Sequence, residues 1–252
     1  MVEHPLPRLS KIQKRIFCFL SKIELPVYLH SSVKKKSHIT NASEHLKKGK
    51  TFKLDIAKFF PSTTQEQVFQ FFNRKMHCSP DVSDILAKIC TCNGHIPTGG
   101  SHSQILAFFT HKEMFDEIYR ISRNNDLIMT CYCDDVTITG ENLTLEIKNL
   151  IRKIIKKSGL KIKKTKERGY DVNDSKKITG VIIRKEEKRI PNSIHKKIHE
   201  QFHQLGKNSD DQATQKKELD RLRGLANYAN QIRPSNWLTR IKKKEKELSR
   251  LK

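Results

Sequence analysis

The sequence is short of acidic residues: 27 Asp and Glu stand against 50 Lys and Arg, a formal net charge of +23 at pH 7. An excess of that size costs self-repulsion in the folded state. A polyanion offsets it, because each neutralised phosphate releases counterions on binding. Nucleic acid is therefore the leading partner class, ahead of an anionic membrane surface and of a merely solvated basic surface. Also missing is any apolar run near the roughly 18 residues that a membrane-spanning helix requires. The opening MVEHPLPRLS has no apolar core of a secretory signal. Six cysteines are present, but none forms a C-x-x-C pair, which excludes a zinc ribbon. Cys90 with Cys92 and Cys131 with Cys133 sit at strand period instead, so each pair is expected on one face. Buried, reduced thiols are favoured over a metal site. A cytoplasmic protein is expected. No internal repeat and no low-complexity linker interrupts the chain.

What is present reads as globular. Hydrophobic residues make up 36% of the chain, charged residues 31%, and the apolar ones are spread throughout. A chain of 252 residues can bury a real core, as one large domain or two small ones. Residues 9–24 carry Leu9, Ile12, Ile16, Phe19, Leu20 and Ile23 at helical spacing. The basic stretch VKKKSHIT reads as irregular. TFKLDI at 51–56 reads as a strand, and 63–73 as a helix capped by Ser62, Thr63 or Thr64. A turn-rich loop at 94–100 precedes a long helix from Gln104 to about Asn124. LIMTCYC and DVTIT read as two strands around an aspartate pair. Leu143, Ile147, Leu150, Ile151, Ile154 and Ile155 form an amphipathic stripe that Gly159 ends. ITGVII at 178–183 reads as a strand and RKEEKRIP as a hairpin. Past Asn192 the pattern is helical, with Leu219, Leu222, Leu225, Ala226, Ala229 and Ile232 on one face. The order of elements predicts an α+β protein.

Three acidic residues fall where strands meet turns: Asp55 at the end of one strand, Asp134 and Asp135 at the tip of a hairpin. Adjacent carboxylates repel and raise one another's pKa, and a cation relieves that cost. Hard oxygen donors suit Mg²⁺. A pair of such ions can activate an attacking hydroxyl and stabilise a leaving pyrophosphate. In a basic chain, this set points to nucleotidyl transfer.

FKLDIAKFFPS, PTGGSHSQILA and YCDDVTITG follow one another in that order. They resemble motifs A, B and C of the reverse transcriptases, the last being the Y-x-D-D box. GLKIKKTKE resembles motif D, and KKITGVII with RIPNSIHKKI resembles the passage from palm to thumb. The likeness covers the chain from about Leu9 to Arg233. Asn41, Ala42 and His45 make an N-A-x-x-H motif that resembles the retron enzymes in particular, and Ile178-Thr179-Gly180 stands where those enzymes usually have V-T-G.

The resemblance implies a right-hand polymerase fold: fingers and palm over 1–190, a small antiparallel sheet packed on helices, and a short helical thumb over 191–252. It implies two Mg²⁺ ions, with Mn²⁺ as a substitute, and dNTP substrates. Asp55 and Asp134 would bind both metals with Asp135 in support, and Ile56 joins them in the metal-binding set. Lys166 would be the motif D lysine that protonates pyrophosphate, with Lys164 as the competing register. Phe60 stands in the steric-gate position. Its neighbour Phe59 joins it in the nucleotide-binding set, although one of the two should face inward. Pro97, Thr98 and Gly99 would form the motif B loop, with Gln104 where many relatives have Pro. Lys34 and Lys36 would meet the triphosphate. Asn41, His45, Thr179, Gly180, Arg223, Arg240 and Lys243 would contact RNA.

The implied reaction copies a structured noncoding RNA into DNA. In a retron enzyme, synthesis starts from an internal guanosine 2′-hydroxyl and gives branched RNA–DNA, usually for anti-phage defence alongside a separate effector protein. The short chain argues against a retroviral enzyme with its ribonuclease H or integrase-like extension, and against a group II intron protein with its maturase and endonuclease parts. Two other readings remain. One is a different defence-associated reverse transcriptase making repetitive or untemplated DNA. The other is an inactive RNA-binding scaffold, which the intact carboxylate set argues against.

Overall fold

The structure is a computed structural model that describes residues 3–205 and 212–250. The opening residues 1–2, and positions 206–211 and 251–252 of the expected thumb, lie outside the described residues.

The first of two units, Met1–Asp174, opens with α1 (Pro7–Leu20). Pro7 starts this helix where a missing N–H costs nothing, so it runs earlier than the 9–24 periodicity predicts. The supposedly irregular basic segment contains α2 (His38–Ser43). A capping box creates it: Ser37 Oγ accepts from the N–H groups of Ile39 and Thr40, and Thr40 Oγ1 accepts from the Ser37 N–H. Strand β1 (Lys50–Asp55) follows, then α3 (Gln65–Gln70), capped by Thr64 and continued by a π-helical turn at Phe71–Lys75. Helix α4 (Pro80–Cys90) was not foreseen.

The long helix expected from Gln104 is two helices, α5 (Ser103–Thr110) and α6 (Lys112–Asn124). His111 leaves helical geometry between them, with φ −107° and ψ 15°. The break lets the almost wholly buried α5 and the amphipathic α6 each reach the core. Phe108 and Phe115 stack across it with ring centroids 5.5 Å apart.

Strands β2 (Ile128–Tyr132) and β3 (Asp135–Gly140) form the expected hairpin, followed by α7 (Leu145–Lys157) and β4 (Arg168–Tyr170). The antiparallel sheet has the order β2-β3-β1-β4. Its core gathers Phe52, Leu54 and Ile56 with Val136 and Ile138, covered by Ile118 of α6 and by Ile151, Ile154 and Ile155 of α7. Each such side chain contributes roughly 1.5–3 kcal/mol by leaving water. Leu150, expected on the α7 stripe, is 43% exposed, since the buried face is carried by Ile147, Ile151, Ile154 and Ile155. Gly159 ends the helix at φ 80°, as expected.

The second unit, Ser175–Lys252, holds β5 (Lys176–Ile178), β6 (Val181–Arg184) and β7 (Glu187–Arg189) in a sheet of their own. The two compact units divide before this sheet. The stretch 178–183 is not one strand. Thr179 and Gly180 turn at φ 41° and 86°, and Lys185 and Glu186 repeat the device at 50° and 61°. Positive φ at both central residues suits a tight hairpin. Helices α8 (Asn192–Gln204), α9 (Gln212–Ile232) and α10 (Trp237–Arg250) complete the unit. Leu222, Ala226, Ala229 and Ile232 are buried, with Leu219 and Leu225 half-buried, so the predicted apolar face of α9 is correct.

Candidate active site

The β1–β3 register sets Asp55 directly opposite Asp135. Asp135 also pairs with Tyr132 across the hairpin, which leaves Cys133 and Asp134 as a two-residue turn. Cys133 has φ 59°, a conformation that costs a residue with a Cβ about 1 kcal/mol. The turn is braced from outside. Ser31 Oγ accepts the Cys133 N–H at 2.9 Å. Cys131 donates its N–H to Tyr28 O at 2.8 Å and accepts from the His30 N–H at 2.9 Å. From the other side the Ile56 N–H donates to Asp134 O at 2.9 Å. Ile56 itself is fully buried. Backbone pairing thus brings Asp55 together with the adjacent Asp134 and Asp135, which lie far along the chain from it.

The geometry loads the site with negative charge. Burial raises the pKa of Asp134, and the nearby Asp55 charge adds to the shift. Burial also raises that of Asp135, partly opposed by Lys53. Two lysines respond. Lys166 Nζ donates to Asp55 Oδ2 at 2.5 Å, and Lys53 Nζ lies 3.2 Å from Asp135 Oδ2. The bond to Asp55 raises the Lys166 pKa. Lys166 is delivered by a 3₁₀ turn, Lys164–Lys166, anchored where the Lys163 N–H donates to Asp55 O at 2.8 Å. The competing Lys164 is exposed and has no side-chain partner among the described residues.

Among the described residues no group of three His, Cys, Asp or Glu side chains is arranged as a ready metal cluster. The donor set nonetheless fits a hard cation. All three side chains offer carboxylate oxygens, and Asp135 Oδ1 is buried with no hydrogen-bond partner.

Around this centre the expected residues separate. Phe59 is the inward ring, 3% exposed and tilted against His111, while Phe60 is half-buried beside it with centroids 5.8 Å apart. Pro97 is buried and Thr98 exposed. A Cβ on Gly99 would collide with the backbone oxygen of Glu3, so the close approach there requires glycine. Gln104 Oε1 accepts from Ser32 Oγ at 2.7 Å. Lys34 is exposed.

Other expectations are corrected. The Lys36 ammonium is not a free point charge: it donates to Leu29 O at 2.9 Å and to Val27 O, and burial lowers its pKa. Asn41 and His45 are 1% and 0% exposed, so neither side chain is presented to RNA. His45 Nε2 instead lies 2.7 Å from Thr130 Oγ1 on β2 and Nδ1 2.9 Å from Thr139 Oγ1 on β3, and Thr139 Oγ1 in turn lies 2.8 Å from Thr51 Oγ1 on β1. The N-A-x-x-H histidine ties together the strands that carry the carboxylates. In the second unit Thr179 and Gly180 form a hairpin turn. Arg223 pairs with Glu245 at 2.6 Å, Arg240 lies over Trp237 at 4.4 Å, and Lys243 is exposed. The cysteines are not paired on strand faces: Cys90 and Cys131 are buried, Cys133 is in the turn, and Cys18 and Cys92 are exposed. Lys53, Ser31 and the threonines were not foreseen, because isolated polar residues in strands and loops carry no motif.

No family model matches the chain. Among solved structures, the chain is similar to apo telomerase from Candida Tropicalis (TM-score 0.57, 10% identity, 87% of this chain and 44% of that one). It is also similar to telomerase from Candida albicans in complex with a telomeric RNA fragment (TM-score 0.51, 11% identity, 89% and 49%). The fold is the right-hand polymerase fold. In sequence the chain is 33% identical over 147 residues to the retron Se72 reverse transcriptase of Salmonella heidelberg, 58% of this chain and 38% of that protein. It is 27% identical over 199 residues to the retron Ec86 reverse transcriptase of Escherichia coli, 77% and 59%. The chain is a homologue of the retron reverse transcriptases. It spans between 38% and 61% of the length of these curated relatives.

Proposed function

We propose that the chain is an RNA-directed DNA polymerase of the retron kind. It copies a structured noncoding RNA into DNA by in-line attack of a hydroxyl on a dNTP. The observation that carries this reading is the carboxylate arrangement: Asp55 faces Asp135 across the β1–β3 register, Asp134 sits in the adjoining turn, and Lys166 lies on Asp55. Asp55, Asp134 and Asp135 would hold the divalent ions. When bound, such ions lower the pKa of the attacking hydroxyl and neutralise the leaving pyrophosphate.

The chain's own groups do the rest. Lys53 and Lys166 balance the carboxylate charge, and Lys166, kept protonated beside Asp55, would be the group that gives a proton to pyrophosphate. Phe60, next to the buried Phe59, limits space for a ribose 2′-hydroxyl. The basic excess of the whole chain supports template and product binding. Branched RNA–DNA as product, a defence role and a separate effector protein belong to the same proposal, carried by the retron homology. No helix among the described residues is long and apolar enough to cross a membrane.

The test is to purify the chain with its bound nucleic acid and sequence that material before and after RNase treatment, then assay primer extension with Mg²⁺. One defined DNA strand joined to RNA is expected. Homopolymer or concatemer would overturn the retron assignment, and synthesis that persists in Asp134→Asn would overturn the metal site.

A further inference from the structure

Just past the end of β1, Ile56 and Ile162 form an isolated antiparallel bridge. On one side of it the Ala57 N–H donates to Lys161 O at 2.7 Å, and on the other the Lys163 N–H donates to Asp55 O at 2.8 Å. This pairing sets Lys163 directly opposite Asp55, on the edge of β1 away from β3. On the β3 edge, Asp55 stands opposite Asp135. Asp135, Asp55 and Lys163 therefore make one row across the strands.

Residues in such a row share a face of the sheet, with neighbouring Cβ atoms about 4.5–5.5 Å apart. Burial agrees with that assignment. Ile56 is fully buried and Ile162 packs against the same core, so the bridge pair defines the inner face. Lys161 and Lys163, on either side of Ile162, are exposed. Lys163 thus rises from the face that carries Asp55 and Asp135, and its backbone bond to Asp55 fixes it there.

The lysines of this face differ in what holds them. Lys53 pairs with Asp135 and Lys166 with Asp55. Lys163 has no side-chain hydrogen bond or ion pair among the described residues. Both carboxylates of its row already have a lysine, so an anion for Lys163 has to come from a ligand.

We propose that Lys163 is a phosphate-binding residue of the reaction: its ammonium takes the β- and γ-phosphates of the incoming dNTP and then the departing pyrophosphate. The proposal rests on the functional reading above, which supplies the dNTP. A lysine ammonium is a compact point charge suited to phosphate. Its role is distinct from that of Lys166, since Lys163 gives up no proton and holds the same two phosphates before and after transfer. Binding of that uniform kind acts on KM rather than on kcat. A passing nucleic-acid strand would also attract Lys163, but the row places this cation beside the carboxylates, where the reacting phosphates meet the site.

The experiment compares Lys163→Gln, Lys163→Arg and Lys153→Gln in the full chain. Lys153 is exposed on α7, the helix that covers the opposite face of the sheet, so it gives the same change of charge away from the site. On a pre-annealed RNA template and DNA primer, Lys163→Gln should raise the KM for dNTP about tenfold and change kcat by no more than about twofold, as for one lost charge-assisted contact. Calorimetric titration with inorganic pyrophosphate in Mg²⁺ should show a matching loss of affinity. Lys163→Arg should restore most of both, and Lys153→Gln should alter neither. Melting curves should stay unchanged throughout, because both positions are exposed. A KM and a pyrophosphate affinity that do not move, or a loss confined to primer–template binding, would overturn the proposal. Extension by the unaltered protein separates the two readings. Pyrophosphate binding that depends on Lys163, without any extension, sinks the polymerase reading and leaves the phosphate site. Extension with a KM that ignores Lys163→Gln sinks the phosphate site alone.

Discussion

Asp55 and Asp135 are direct partners in the β1–β3 ladder, and each is matched by a different lysine, Lys166 for the first and Lys53 for the second. Converting one of these acids, or the neighbouring Asp134, to its amide removes an oxygen of the proposed metal site while easing repulsion among the carboxylates. Asp55→Asn and Asp134→Asn should each cut DNA synthesis by ~10³-fold or more, since a bound ion supplies several kcal/mol of transition-state stabilisation. Their melting temperatures should equal or exceed that of the parent. A large loss of Tm would mean that the carboxylates hold the fold together and would undermine the site assignment.

Lys166 is half exposed, with 52% of its side chain accessible, so its pair with Asp55 adds little stability. Lys166→Met should leave the melting curve almost unchanged and slow single-turnover extension by roughly 10²-fold, the scale of a lost general acid. Lys164→Met should do neither. Equal effects of the two substitutions would remove Lys166 from its special position.

The tautomer of His111 follows from its neighbour. The Thr63 hydroxyl donates to Phe59 O at 2.9 Å, so it can only accept from His111 Nε2, 3.1 Å away. Burial lowers the His111 pKa from 6.5 to about 4. The unfolded chain therefore binds a proton at a higher pH than the folded one. The neutral ring's contribution is complete above pH 6.5 and is lost as pH falls towards 4, up to about 3 kcal/mol. Denaturant melts across this window should steepen accordingly, and His111→Gln should flatten that part of the profile. An unchanged slope in the variant would assign the acid sensitivity to other groups, His30 first, which burial also brings to about 4.

His45 joins Thr130 and Thr139 in a fully buried position. His45→Ala leaves two threonine hydroxyls without their partner and should cost about 2–4 kcal/mol, with His45→Gln losing less. RNA affinity per folded molecule should stay the same, which separates this bracing role from direct RNA contact.

How much of this was legible in the sequence depends on how local the signal is. The carboxylates were readable because Asp55 and the Asp134–Asp135 pair sit at strand ends flanked by alternating apolar residues. The break at His111 was not, because both flanking segments keep a helical pattern and only tertiary packing decides that one residue leaves it. Strand 178–183 was misread since Thr179 and Gly180 sit inside a run of β-branched residues that masks a turn. Lys36 and the N-A-x-x-H pair looked like ligand contacts because the sequence shows a charge or a motif but not its burial. Helix α2 was hidden in a basic run, although the Ser37–Thr40 capping box was there to be read.

In the sheet order β2-β3-β1-β4, the strand bearing Asp55 is central and has neither neighbour until much later in the chain. A nascent polypeptide leaving the ribosome exposes the apolar β1 long before β3 emerges to cover it. The segment that delivers Lys166 comes later still. A translation product that stops before β3 has Asp55 without Asp135 opposite it, so the three carboxylates meet only when this long-range pairing is complete.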